Sequence, residues 1–418
     1  MRRFIAAVVV AVGLFGLAGG ASAQALRTLQ NSLSHSLKSA GGANGAYVLD
    51  LTTGRALYSA RPNSRRLPAS VEKIYTTSTA LARFGANTTL KTSVRATGSL
   101  DGNGTWHGTI YLKGAGDPTF GSVAYDRSAY GPATGATLQR LVTNLLRTNP
   151  IKAVQGAIVG DESTLDSLRG TVATGYAFSP YVEGELSGLA YDRGFADLAG
   201  SSIQNRPALF ATQQFVGALR SAGVRVPKGI RTYTHATPAG AQLLATVNSP
   251  RMATLIRMTN TPSDNFFAEM LLKDVGARFG GHGSSTAGAA VVRNQLAKTF
   301  GIHPRIDDGS GLSRGDWTSP RDVVTVLAGL SSDSAFTGSL SVAGQTGTLA
   351  AGLAGTYAAG RCRGKSGTLH DVANLVGLCT AKDGHTLVFA FLLNGLSDPA
   401  AGHSIEDDMA VAVAKYNG

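Results

Sequence analysis

The chain has 418 residues, 43% of them apolar or aromatic, and a formal net charge of +12. This is the length of two ordinary domains and the composition of a folded protein, which excludes a disordered or fibrous chain. The basic residues are scattered, without dense runs or aromatic–basic alternation, so the charge reads as a solvated surface suited to an acidic envelope polymer, and no nucleic-acid partner is expected.

The chain opens on Arg2 and Arg3, an apolar run from Phe4 to Leu17, and Gly19-Gly20-Ala21-Ser22-Ala23. A basic start, a short apolar core and small residues before a cut make a secretory signal over 1–23, cleaved after Ala23. The run is shorter than the ~20 residues of a spanning helix. An exported protein of the periplasm or extracytoplasmic envelope is expected, with no membrane span after cleavage.

Ala46–Leu51, the turn Thr52-Thr53-Gly54 and Arg55–Ala60 read as a hairpin. Pro68 opens a helix running to about Arg83, with Gly85 past its end. From 91 to 244 the texture changes to short strand-like runs between glycine turns, with a helix over Pro207–Ala222. Helical spacing returns at 250–280, 286–300 and 319–331, strands at 360–368, 373–380 and 386–393, and a last helix near 404–415. Strands at both ends with helices between them predict one α/β (α+β) catalytic domain, 24–90 with 245–418, interrupted by an inserted domain over 91–244. No basic amphipathic segment closes the chain, so no surface anchor is expected.

Three short motifs carry chemistry. In Ser70-Val71-Glu72-Lys73 the serine and lysine lie three apart on one helix face. A serine hydroxyl needs a base to become a nucleophile, and a lysine amine of lowered pKa serves. Ser263-Asp264-Asn265, after Pro262, reads both as a helix N-cap ahead of Phe266 and as a site segment. There Ser263 would relay a proton, Asn265 would hold a carbonyl and Asp264 would brace the loop. In Lys365-Ser366-Gly367-Thr368 an edge strand would present a cation and hydroxyls, with Gly367 letting a substrate backbone approach. Each motif alone is weak.

In this order they resemble the signature of penicillin-binding proteins and serine β-lactamases. About 190 residues separate Lys73 from Ser263, and this long insertion resembles the low-molecular-mass class C penicillin-binding proteins, the D-Ala-D-Ala carboxypeptidases and endopeptidases of peptidase family S13. Leu67-Pro68-Ala69-Ser70, Gly116-Asp117-Pro118-Thr119, Asp308–Arg314 and Gly344–Leu349 are similar to that family too. Ser366 stands where threonine is usual, and the hydroxyl is kept.

The resemblance implies a penicillin-binding protein/serine β-lactamase-like fold, an antiparallel sheet flanked by helices. It implies a Ser70 acyl-enzyme with Lys73 as base and Ser263 as proton relay. Asn265, Lys365, Ser366, Gly367 and Thr368 would bind substrate, and the backbone N–H groups of Ser70 and Thr368 would form an oxyanion hole. Lys365 would steer the substrate carboxylate and keep Lys73 neutral by repulsion. Peptidoglycan stem peptides and β-lactams are the expected partners, with no cofactor and no metal: two cysteines, and eight histidines without a His-x-x-x-His pair, supply no ligand set.

Cys362 and Cys379 fall directly opposite if 360–368 and 373–380 pair about a centre between His370 and Asp371. A cross-strand disulfide bracing the third motif is the expectation, two buried thiols the alternative. Strand alternation would turn Cys362 away from Lys365. A phosphate-binding loop at Gly360–Ser366 is excluded, because three residues, not four, separate Gly360 from Gly364. A β-lactamase and a non-catalytic wall-binding protein are the remaining alternatives.

Overall fold

The computed structural model describes residues 15–418, so the signal's basic start and most of its apolar run lie outside the described residues. The first helix, α1 (Phe15–Ala40), runs through Ala23. Leu29, Leu33 and Leu37, its buried anchors, follow the expected cut and fall four apart on one face.

Among the described residues the strands are β1 (Ala43–Asp50), β2 (Ala56–Ala60), β3 (Lys91–Leu100), β4 (Thr105–Lys113), β5 (Ala153–Asp161), β6 (Arg231–Thr234), β7 (Gln242–Asn248), β8 (Ser341–Val342), β9 (Cys362–Leu369), β10 (Val372–Thr380) and β11 (Thr386–Asn394). They form two sheets. The first, in the order β2-β1-β11-β10-β9-β8, is antiparallel throughout and joins the start of the chain to its end. The second, β6-β5-β4-β3-β7, is mixed: β5 runs parallel to both β4 and β6. It is built from 91–248, four residues beyond the expected end of the insertion, because β7 pairs with β3.

The helices after α1 are α2 (Lys73–Phe84), α3 (Val123–Ala129), α4 (Leu138–Thr148), α5 (Pro207–Ser221), α6 (Met252–Asn260), α7 (Asn265–Phe279), α8 (Ser285–Phe300), α9 (Pro320–Gly329), α10 (Ser334–Thr337) and α11 (Pro399–Ala414). Period-two alternation gives the first sheet two apolar faces. Leu387, Phe389, Phe391 and Leu393 of β11 pack with α1 and α11, while Val388, Ala390 and Leu392 pack with α2 and α6–α9. The second sheet buries its own cluster against α4 and α5.

Three helices also differ from the sequence reading. The helix after Pro68 begins as a 3-10 turn, Ala69–Glu72, before α2. The helical stretch 250–280 is two helices, because Pro262 lacks an N–H donor and Ser263 takes φ +67°, a left-handed conformation that ends α6. The last helix starts at Pro399, capped by Asp398, whose carboxylate accepts from Ala400 N.

Candidate active site

Ser70 lies in the 3-10 turn where the chain crosses the first sheet. Asn374 of β10 donates to the carbonyls of Leu67 (2.9 Å) and Pro68 (2.8 Å), and Asn394 of β11 accepts from Leu67 N at 2.7 Å. Ala69 takes φ +47°, an uncommon conformation for a residue with a Cβ, of the kind that gathers at functional sites. The turn is wedged between two glycines: a Cβ on Gly311 would lie 1.8 Å from Ala69 O, and one on Gly367 would lie 2.7 Å from Pro68 O and 3.2 Å from Ser70 N.

In a 3-10 turn residues i and i+3 eclipse, which stands Lys73 directly over Ser70. Lys73 Nζ is fully buried, 2.9 Å from Ser70 Oγ, 2.6 Å from Asn265 Oδ1 and 2.8 Å from Ser310 O. The last two are pure acceptors and take two N–H bonds. A neutral amine then has its lone pair left for the Ser70 hydroxyl. Burial pulls the Lys73 ammonium down to about 8, against Asp308, Asp264, Glu269 and Glu183, which favour the charge. Lys365 is drawn well below the ordinary lysine range, by burial first and by Lys73 second.

The second motif is held from two sides. Asp264 caps α7, accepting from Phe267 N at 2.9 Å, and its other oxygen pairs with the buried Arg193 guanidinium. Arg193 comes from the inserted segment and also lies over the rings of Phe266, Phe267 and Tyr130. The same segment supplies Glu183, whose carboxylate accepts from Asn265 N at 3.0 Å, and the Tyr181 carbonyl, which accepts from Asn265 Nδ2 at 2.7 Å. Asn265 Oδ1 is therefore turned toward Lys73. Ser263 Oγ accepts from Lys365 Nζ at 2.8 Å, and Lys365 also donates to Ser366 O at 2.8 Å.

The third motif lies on β9, which β8 covers only at Arg363 and Gly364. Cys362 O accepts from Ala343 N on the β8 side. By the alternation of antiparallel pairing, the N–H of Thr368 points toward that same edge, uncovered there. Ser366 Oγ donates to Thr348 Oγ1 at 2.7 Å, and Thr368 Oγ1 lies 3.0 Å from His403 Nε2. β9 and β10 pair with Cys362 opposite Cys379, and the two are disulfide-bonded. Cys362 packs into the cluster beneath α1 and α11, on the opposite face from Lys365.

Sequence reasoning assigned no role to the carboxylates behind Lys73. Glu269 Oε1 accepts from Gly309 N (2.9 Å) and Ser310 N (2.8 Å), and Asp308 accepts from Gly311 N (2.7 Å) and Ser313 N (2.8 Å). Together they fold the Asp308–Arg314 turn so that Ser310 O meets Lys73. Burial pushes Glu269 up to about 8 and Glu72 well above the carboxylate range. Asp308–Arg314 was marked only by its likeness to the family, and its target was not legible. Tyr181, Glu183 and Arg193 left no motif, and His403 lies outside every short pattern.

Residues 29–176 and 196–416 match the family described as D-Ala-D-Ala carboxypeptidase 3 (S13). The chain belongs to this S13 family. Over 463 aligned residues it is 28% identical to a D-alanyl-D-alanine carboxypeptidase of Actinomadura sp. (strain R39), covering 90% of this chain and 82% of that one. The carboxypeptidase DacB of Mycolicibacterium smegmatis is 26% identical, with 83% of this chain and 75% of the relative covered. In fold the chain is similar to penicillin binding protein 4 of Haemophilus influenzae, with TM-score 0.76, 19% identity, and 92% and 99% of the two chains covered. It is also similar to a penicillin G-acylated predatory endopeptidase of Bdellovibrio bacteriovorus, with TM-score 0.56, 17% identity, and 90% and 93% covered. Membership in S13 makes the protein a serine-type D-Ala-D-Ala carboxypeptidase/endopeptidase, a hydrolase of the penicillin-binding class.

Proposed function

We propose that Ser70 is the nucleophile and neutral Lys73 its general base. The observation that carries this is the partner set of Lys73 Nζ: two carbonyl-type acceptors at 2.6 and 2.8 Å, and Ser70 Oγ at 2.9 Å. Ser70 Oγ attacks the carbonyl between two D-alanyl residues as its proton passes to Lys73. The N–H groups of Ser70 and Thr368 receive the developing oxyanion. The C–N bond breaks as Ser263, held by Lys365, gives its proton to the leaving amine and takes in return the one Lys73 accepted, which leaves Lys73 neutral for the water step. Water then attacks the acyl-enzyme, releases the shortened peptide and restores Ser70. Lys365, Ser366 and Thr368 bind the terminal carboxylate, and Gly367 keeps β9 close to the Ser70 turn. Asn265 holds the substrate amide through its bond network with Tyr181 and Glu183.

Residues 24–90 with 249–418 form the catalytic domain in this reading, and 91–248, which carries the whole second sheet, the inserted domain that grips the second motif. Export rests on the 1–23 signal and on the position of the α1 anchors after the cut. Among the described residues no helix is long and apolar enough to cross a membrane. Peptidoglycan stem peptides are the substrate, and β-lactams acylate Ser70.

Labelled penicillin tests the reading. A long-lived adduct on Ser70, absent from Ser70→Ala, is expected. Rapid turnover of the label points to a β-lactamase, and no label to a wall-binding protein. Mass analysis of digested wall fragments reports the bond cut: loss of one alanine marks a carboxypeptidase, and splitting of cross-linked dimers an endopeptidase.

A further inference from the structure

Both hydroxyls of the third motif lean on groups outside it. Ser366 has Thr348, an uncharged neighbour. Thr368 has His403, and His403 has an acid behind it: His403 Nδ1 lies 2.7 Å from Glu406 Oε1, three residues along α11. Glu406 is buried, and its Oε2 has no hydrogen-bond partner. A buried acid, an imidazole and a hydroxyl thus form a chain that runs from the core to the open edge of β9, where Thr368 is exposed.

We propose that His403, backed by Glu406, is a positioning residue for the substrate's terminal carboxylate, setting the Thr368 hydroxyl as a donor toward it. This rests on the placement of that carboxylate at Ser366 and Thr368 argued above. A hydroxyl has one proton. If Nε2 is bare, it accepts that proton, and Thr368 shows a lone pair to an incoming carboxylate. If Nε2 carries a proton, it donates to Thr368 Oγ1 and frees the hydroxyl proton for substrate.

The buried acid makes the second arrangement available near neutrality. With two protons on the pair, either an imidazolium faces a carboxylate or a neutral imidazole accepts from a carboxylic acid. Nε2 is protonated in both. Loss of one proton leaves Nδ1–H on the Glu406 carboxylate and Nε2 bare. Burial pushes Glu406 up to about 7, and the bond to Glu406 raises His403 above its ordinary value. Asp407, on the same helix, raises His403 further. β10 and β11 carry no titratable side chain beneath α11 apart from the disulfide-bonded Cys379. β9 brings Lys365, buried on Ser263, and the exposed Arg363. α1 brings the exposed Arg27, His35 and Lys38, and the segment before β9 the exposed Arg361.

The test compares steady-state kinetics of wild type, His403→Ala and His403→Gln on one peptide ending in D-Ala-D-Ala and on its C-terminal amide. On the acid peptide His403→Ala should raise KM about tenfold while kcat falls less than about threefold. On the amide, which has no terminal carboxylate, the two KM values should converge. Wild-type KM should climb as pH rises through neutrality. In His403→Gln the side-chain amide donates to Thr368 at every pH, so KM should stay low and flat. An unchanged KM in His403→Ala, or an equal effect on acid and amide, overturns the proposal. If the alanine variant does not fold, a KM in His403→Gln that still climbs as in wild type overturns it. Inactivity of wild type on both peptides would instead strike the underlying assignment of the carboxylate site.

Discussion

The carboxylate of Glu183 accepts from the backbone N–H of Asn265 at 3.0 Å, and so fastens the inserted segment to the second motif. Arg193, on the same segment, pairs with Asp264. The segment 181–193 is therefore bound directly to the second motif. The orientation of Asn265 toward Lys73 depends on residues more than 70 positions away in the chain.

Removing Arg193 tests that frame. Arg193→Met leaves the Asp264 carboxylate half-enclosed without its partner, a loss expected to cost about 3 kcal/mol in unfolding free energy. Penicillin acylation should slow more than stability alone accounts for, because the Ser263 loop loses its tether. In a double-mutant cycle with Asp264→Asn the two losses should be strongly non-additive. Additive losses would mean that the ion pair does not hold the loop.

Lys73 sets a pH dependence. On the proposed mechanism the base is the neutral amine, and burial lowers its pKa to about 8. Acylation rate should therefore rise with pH through about 8 and level off above it. The second-order rate of penicillin acylation, followed from about pH 6 to 10, checks this; a flat profile would argue for another base. Lys73→Arg should acylate at least ~1,000-fold more slowly, since a guanidinium stays charged and cannot accept the Ser70 proton.

Gly367 packs β9 against the Ser70 turn. In Gly367→Ala the new Cβ meets the Pro68 carbonyl and the N–H groups of Ser70 and Val71, all backbone that cannot swing aside. The Ser70 turn and the Thr368 N–H must separate, and about 100-fold should be lost from kcat/KM. Circular dichroism should show the fold retained. Near-wild-type turnover would show that the two N–H groups do not act together.

The disulfide closes a short loop of 17 residues' separation at the far end of the β9–β10 pair from the motif. Its loss in Cys362→Ser/Cys379→Ser should cost about 3 kcal/mol, chiefly by freeing the unfolded chain. Lys365 faces the other side of the sheet, so kcat should change little. Denaturant unfolding of the oxidised and double-serine proteins gives the difference directly.

Much of the site was legible because its signals are local. The spacing from Ser70 to Lys73 is one turn of helix, the β9–β10 register follows from counting about His370 and Asp371, and Asp264 ahead of Phe266 is an N-cap pattern. The three helices that differ from the sequence reading have local causes, while the insertion ends later than expected because β7 pairs with the distant β3. A 3-10 turn and an α-helix share the i, i+3 coincidence, so periodicity alone does not separate them. Helical spacing runs on across Pro262, and only the N-cap pattern at Ser263-Asp264-Asn265 marked the new helix start. Pro399-Ala400-Ala401-Gly402 reads as a connection until Asp398 is seen to cap it.

What the sequence determined by itself was the chemistry: a serine with a lysine one turn on, two further motifs in order, and a pair of cysteines on facing strands. Short-range spacing settles such features, since the backbone repeats of helix and strand convert sequence distance into direction. What only the tertiary structure decided was the environment that makes this chemistry work: the Ser310 carbonyl on Lys73, Arg193 and Glu183 on the second motif, and His403 with Glu406 behind Thr368. Apart from the His403–Glu406 pair on one helix, these contacts join residues tens to hundreds of positions apart, and no periodicity links them. They exist because the packing of the two sheets and their helices brings these segments against Lys73, the second motif and Thr368.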